Sequence, residues 1–282
     1  MGRPSVSTVV MDTHEVTGGG GATINVVETG NADGRPILFV HGYTQSRLSW
    51  ERQLRSSLAD EFRLVAMDLR GHGESEKPED AYDDPSLWAD DVQAVIDELA
   101  LDRPVLVGWS YGGLVLSDYF AVHGTADVAG ANYVGAISKL GSDAANAVVG
   151  QAFFDRIPAF TSNDATESIE GLEAFVEDCV HGELSARDRY FILGFNAVTP
   201  PHVRAGLLDR EADNDGTLRE LDVPVLFTHG NEDVIVLPDA AETHAELVPE
   251  SEISWYEGTG HSPFWEAPDR FNEELREFAN GL

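Results

Sequence analysis

The chain has 282 residues, 50 acidic against 18 basic, for a formal charge of −32. Its 42% hydrophobic content, with 13 Phe, 7 Tyr and 5 Trp, can bury a large core, which excludes global disorder. No basic patch is available for nucleic acid, the single Cys179 excludes a disulfide scaffold, and no apolar run nears the roughly 18 residues of a membrane span. Met1 leads into no apolar signal-peptide core and no twin arginine, so a cytoplasmic location is expected.

In chain order, residues 5–11 and 22–28 read as two opening strands joined by Gly18-Gly19-Gly20-Gly21. That glycine run lacks the Lys-Ser/Thr and helix start of a phosphate loop, so a hairpin turn is expected. Continuous apolar runs follow at 36–40 (Pro-Ile-Leu-Phe-Val), 63–67 and 104–107, as expected of parallel strands covered on both faces. Further strands are read at 129–137, 223–228 and 251–256. Between them, 49–59 repeats Trp50, Leu54 and Leu58 at helical spacing. Residues 85–99 set Leu87, Trp88, Val92, Val95, Ile96 and Leu99 on one helical face, and 111–123 and 268–279 are also helical in pattern. Alternating strands and helices predict a doubly wound α/β sheet, mostly parallel, with an antiparallel start.

From 140 to 220 the pattern is helical and aromatic, with Phe153, Phe154, Phe160, Phe175, Tyr190, Phe191 and Phe195, and no strand is read there. Residues 1–139 and 221–282 are therefore expected to form the core, and 140–220 a helical lid inserted between strands.

The strongest chemical signal is Gly108-Trp109-Ser110-Tyr111-Gly112-Gly113, between a strand and a helix. G-x-S-x-G in that setting is a nucleophile elbow, a turn tight enough to need glycines, which lifts a serine hydroxyl above the sheet. The following helix N-terminus favours developing negative charge.

At this point the chain resembles the α/β-hydrolase superfamily over nearly its whole length, with its parts in the order serine, acid, histidine. A serine hydroxyl needs an imidazole to take its proton, and His261, in Gly258-Thr259-Gly260-His261-Ser262, stands where the family places its histidine. Asp233, in His229-Gly230-Asn231-Glu232-Asp233, fits the carboxylate that steadies that imidazole, in competition with Glu232, Glu257 and Asp143. The elbow rule assigns one oxyanion N–H to Tyr111. The resemblance assigns the other to Tyr43, after His41-Gly42. Asp68-Leu69-Arg70-Gly71-His72-Gly73-Glu74-Ser75 also matches the family, as a structural loop without a catalytic role.

Within the superfamily, Ser110 separates this chain from branches that attack with an aspartate, namely dehalogenases and epoxide hydrolases. The segment Tyr43-Thr44-Gln45-Ser46 does not resemble the Gly-rich segment of carbon–carbon bond hydrolases, and the elbow is not that of proline iminopeptidases. The closest resemblance is to the branch of cofactor-free haloperoxidases, perhydrolases and esterases, carried by Ser49-Trp50-Glu51-Arg52-Gln53, Val105-Leu106-Val107-Gly108 and the loop around Asp233. Tyr111 departs from it, since methionine is frequent there. The resemblance implies hydrolysis of small carboxylic esters through an acyl-enzyme, with no cofactor and no metal. The alternatives are a perhydrolase or haloperoxidase, and a ligand sensor derived from a hydrolase. A small-molecule ester is the expected partner, with no nucleic acid and no membrane; oligomeric state is left open. The lid aromatics and Phe264 point equally to an apolar pocket and to plain packing of the lid.

The acidic excess is spread along the chain, and only Lys77 and Lys139 are lysine against 16 arginines. This composition resembles that of proteins from salt-accumulating halophiles, in which molar salt screens self-repulsion.

Overall fold

The computed structural model describes residues 11–282. The strand expected at 5–11 lies, apart from Met11, outside the described residues, and Met11 is not in a strand. The first described strand is β1 (Asp12–Thr17), where only Val16 is buried, so no apolar run marks it. It pairs antiparallel with β2 (Thr23–Gly30). The glycine run between them is a hairpin turn, with Gly20 and Gly21 at φ 65° and 85°. The turn is pinned from below: Gly19 N–H donates to Asp91 Oδ1 (2.9 Å) and Gly19 O accepts from Arg70 Nη2 (2.9 Å).

The continuous apolar runs become β3 (Pro36–Val40), β4 (Arg63–Met67), β5 (Val105–Trp109) and β6 (Gly130–Val134). After a two-residue β7 (Lys139–Leu140) and β8 (Ala212–Asp213), β9 (Val225–Gly230) and β10 (Glu252–Tyr256) complete the set. The main sheet has the order β1-β2-β4-β3-β5-β6-β9-β10. The β2–β4 pair is antiparallel and all later pairs are parallel. Alternate residues of β3 feed two cores: Leu38 and Val40 pack on one face, Ile37 and Phe39 on the other. That double coverage is why these strands read as unbroken apolar runs.

The helix expected over 49–59 is broken into a 3₁₀ turn (Arg47–Trp50), α1 (Glu51–Leu54) and a second 3₁₀ turn (Ser57–Asp60). Ser46 and Ser56 each accept a backbone N–H two residues on (3.2 Å each), a local bond that competes with helix continuation. Trp50, Leu54 and Leu58 are buried nonetheless. The helices α2 (Pro85–Glu98) and α3 (Tyr111–His123) fall where expected. Asp84 caps α2 through Ser86 N–H (2.9 Å), and Pro85 opens its first turn.

Residues between β6 and β9 carry α4 (Asp143–Asn146), α5 (Gln151–Phe160), α6 (Ala165–Asp178), α7 (Ala186–Asn196), α8 (Pro201–Leu208) and α9 (Asp215–Arg219). The expectation of no strand in 140–220 is corrected by the antiparallel β7–β8 ladder at the root of this segment; two residues are too few to leave a period. The sequence reading leaves 239–247 without an element, yet α10 (Asp239–Leu247) forms there on a buried face of Ala240, Ala241 and His244, too small and polar to register as apolar. The chain ends with α11 (Pro263–Glu266) and α12 (Pro268–Asn280). Among the described residues no helix is long and apolar enough to cross a membrane.

Candidate active site

Ser110 sits between the end of β5 and the start of α3 at φ 56°, ψ −117°. A non-glycine residue there stores on the order of 1–3 kcal/mol of strain, held by surrounding structure. Ser110 N–H donates to Val134 O (2.9 Å), and Ser110 O accepts from Gly113 N–H (3.0 Å). The elbow glycines are required by close approach. An added Cβ would lie 2.8 Å from Gly112 O at position 108 and 2.4 Å from Val40 O at position 112. The loop after β3 crosses directly over the serine: a Cβ at Gly42 would sit 3.0 Å from Ser110 Cβ and 3.5 Å from its Oγ.

His261 lies in the loop after β10 and is 2% exposed. Its Nδ1 is 2.7 Å from Asp233 Oδ2. Asp233, in the loop after β9, has its other oxygen fixed by two backbone amides, Ile235 (2.8 Å) and Val236 (2.9 Å). The structure thus brings together His261 and Asp233. The competing carboxylates are elsewhere: Glu232 and Asp143 are exposed, and Glu257 accepts from Asn231 Nδ2 (3.2 Å). The chain is so tight behind the pair that a Cβ at Gly135 (φ 48°) would lie 3.1 Å from His261 Nδ1.

The amides of Tyr43 and Tyr111 make no backbone hydrogen bond among the described residues. Tyr111 opens α3, where the first N–H groups have no intrahelical acceptor. The Tyr111 phenol accepts from Arg210 Nη1 (3.0 Å), and burial pushes it above its ordinary pKa. The Tyr43 phenol donates to Arg204 O (3.1 Å) while its ring packs among Phe153, Phe160 and Phe175. These three aromatics therefore pack the segment onto the core. A cavity of about 20 Å³ lies beside the site, lined by Trp109, Ser262 and Phe264 on one side and Cys179, Ile192 and Phe195 on the other; that volume holds about one water.

Several supporting residues escape sequence reasoning. His229 places Nε2 2.9 Å from Val236 O and 3.4 Å from Asp233 Oδ2, a second imidazole beside the acid; burial holds its pKa below the usual value. Trp109 Nε1–H donates to His261 O (2.8 Å). The Ser49–Gln53 motif has a physical role here. Gln53 Nε2 donates to Phe264 O (3.0 Å), and Arg52 bonds Trp265 O with its guanidinium 4.2 Å from the Trp265 ring centre, so both hold the helix that follows His261.

The loop after β4 is tied down by side-chain hydrogen bonds. Asp68 accepts from Asn25 Nδ2 (2.8 Å), Arg47 N–H (2.7 Å) and Glu74 N–H (3.0 Å). Leu69 N–H donates to His41 Nε2 (3.0 Å), so His41 carries its proton on Nδ1, facing Gly42 O (2.9 Å). Burial depresses His41 to a pKa of about 4 and His72 to about 3, keeping both neutral.

The sequence matches the alpha/beta hydrolase family over residues 37–274. It resembles the crystal structure of an esterase from Rhodococcus sp. ECU1013, with a TM-score of 0.92, 41% identity and coverage of 96% of this chain and 99% of that one. It is 30% identical to a non-heme chloroperoxidase of Streptomyces lividans, over 93% of this chain and 98% of that protein. It is 27% identical to the bifunctional esterase/perhydrolase DCH of Acinetobacter calcoaceticus, over 93% and 98%. With its doubly wound sheet, its elbow serine and this family match, the chain belongs to the alpha/beta hydrolases.

Proposed function

We propose that the protein hydrolyses small carboxylic esters with Ser110 as nucleophile, His261 as general base and acid, and Asp233 as the group that orients His261. The observation that carries the reading is the strained Ser110 on the elbow with the buried His261–Asp233 pair on the neighbouring loops. Likeness to the Rhodococcus esterase supports ester bonds as the target.

In this reading His261 Nδ1–H donates to Asp233, which leaves Nε2 unprotonated and able to take the Ser110 proton as Oγ attacks the ester carbonyl. The Tyr43 and Tyr111 amides meet the tetrahedral oxyanion; a donor of this kind contributes about 3–4 kcal/mol to the transition state. His261 then protonates the leaving alcohol, and an acyl-Ser110 remains. Water, deprotonated by the same imidazole, cleaves it. Residues 140–220 act as a helical lid over a core of 1–139 and 221–282, and their side chains Cys179, Ile192 and Phe195 close one side of the small cavity. A second reading makes hydrogen peroxide the acyl acceptor in place of water. It is favoured by the relatives named as a chloroperoxidase and an esterase/perhydrolase.

The test is hydrolysis of p-nitrophenyl acetate, butyrate and octanoate by wild type and Ser110→Ala in dilute buffer and in molar KCl. Activity lost in Ser110→Ala and falling with chain length is expected. A folded wild type no faster than Ser110→Ala refutes the reading. Peroxide-dependent bromination of a phenol dye, lost in the same variant, identifies the second.

A further inference from the structure

The loop that crosses Ser110 holds an unusual backbone. Gln45 N–H donates to Gly42 O (3.2 Å), which closes a four-residue turn with Thr44 as its third residue at φ 59°. Positive φ there, with Tyr43 before it outside the positive-φ region, is the type II pattern and calls for glycine. Threonine is β-branched and disfavours it strongly. Something must hold Thr44 there, because relaxing it re-aims the turn that carries the Tyr43 amide.

The holding group is Asn196, at the C-terminal end of α7 and 0% exposed. Its Oδ1 accepts from Thr44 Oγ1 (2.5 Å) and from Gln45 Nε2 (3.2 Å). Its Nδ2 donates to Gln45 Oε1 (3.3 Å) and to Ile192 O (2.8 Å). All four hydrogen-bonding positions of the amide are filled. Three of the bonds reach the turn and one ties it to α7's own backbone. Thr199, just past α7, adds a bond from its Oγ1 to Thr44 O (3.4 Å). Thr44, Gln45 and Thr199 are also buried, so no water replaces these bonds freely.

We propose that Asn196 is a positioning residue for the oxyanion loop: it latches the strained Thr44 turn to α7, so that the inserted segment sets the aim of the Tyr43 amide. This rests on the ester-hydrolase reading above. Asn196 touches no reacting atom, and its effect falls on transition-state stabilisation, not on substrate binding.

The experiment compares wild type, Ser110→Ala, Asn196→Leu and Thr44→Val on p-nitrophenyl acetate, with active sites of the three serine-bearing forms counted by fluorophosphonate titration so that unfolded protein is not scored, and Ser110→Ala, which the reagent cannot label, compared with wild type per mole of folded protein. Asn196→Leu and Thr44→Val break one contact from its two ends. Each is expected to lower kcat at least about tenfold with KM within about twofold, a part of the 10²–10³ that removal of an oxyanion donor costs. The double variant should be no worse than the worse single one. Thr44→Gly placed in Asn196→Leu should restore kcat to within about threefold of wild type, because glycine takes a positive φ without a latch. A purely structural Asn196 would lower the titrated fraction and leave kcat per site unchanged. If Ser110→Ala is dead and both single variants keep kcat per site within twofold of wild type, or lose only KM, the latch is overturned. Should Asn196→Leu fail to fold, Thr44→Val alone decides by the same criterion. Wild type no faster than Ser110→Ala overturns the ester reading, and the latch with it.

Discussion

Replacing Asp233 by asparagine changes one atom and leaves the volume, so its effect follows from hydrogen-bond orientation. Asp233 Oδ1 accepts the Ile235 and Val236 amides at 2.8 and 2.9 Å, while Oδ2 faces His261 Nδ1 at 2.7 Å. An asparagine must put its NH₂ in one of these places. Toward the two amides it would lose two bonds of the charge-assisted kind, each contributing about 1.5–3 kcal/mol, and set donor against donor. A preference of about 3 kcal/mol is more than a hundredfold, so the NH₂ turns to His261. There it meets Nδ1–H, and the imidazole must shift its proton to Nε2, the atom that has to accept from Ser110. The expected loss is about 10⁴ in kcat, the scale of the same change in serine-protease triads, or about 5.5 kcal/mol. KM should stay within a few-fold, and the melting temperature should move little because the amide bonds persist. Steady-state hydrolysis of p-nitrophenyl acetate, normalised to titrated sites, measures this. An Asp233→Asn variant within tenfold of wild-type kcat would refute both the tautomer argument and the assigned role of Asp233.

Other outcomes follow from buried charge. Arg210→Met should destabilise the protein by about 3–5 kcal/mol and lower the melting temperature by roughly 10 °C. It strands Asp118, whose oxygen lies 2.7 Å from Arg210 Nη2 and whose remaining side-chain partner is Asn214 at 3.4 Å; a shift under 2 °C would contradict this. His72 has a folded pKa of about 3, below its unfolded value, so between pH 6.5 and 3 the unfolded state binds a proton that the folded state does not. Its stabilisation is complete above pH 6.5 and is lost as pH falls, by about 2 kcal/mol between pH 7 and 5. Urea titrations at the two pH values should show a smaller drop for His72→Gln than for wild type, and equal drops would exclude the contribution. Finally, −32 charges on one domain should give a higher melting temperature in 2 M KCl than in 50 mM, as screening shortens to a few ångström; a salt-independent melt would remove the halophilic reading.

Much of the fold is legible because its signals are local. The strands β3, β4 and β5 are buried on both faces, and that burial writes itself into the chain as continuous apolar runs. The elbow is legible because a backbone approach of 2.4–2.8 Å admits only glycine at 108 and 112. The same runs hide where burial is one-sided or polar: β1 contributes only Val16 to the core, and α10 packs through alanines and a histidine. Helical spacing at Trp50, Leu54 and Leu58 correctly marks a buried face, but not that two serines interrupt the helix.

By itself, then, the sequence determined the mostly parallel sheet, the serine on its elbow, and the chain order in which an aspartate and a histidine follow it. Those features depend on side-chain period and on steric demands within a few residues. Tertiary structure alone brought Asp233, the acid expected from the sequence, to His261 and set its three competitors apart, placed His229 beside it, and let Asn196 reach back 152 residues to the turn over Ser110. Such contacts depend on where separate elements come to rest after packing, and no local pattern carries that information.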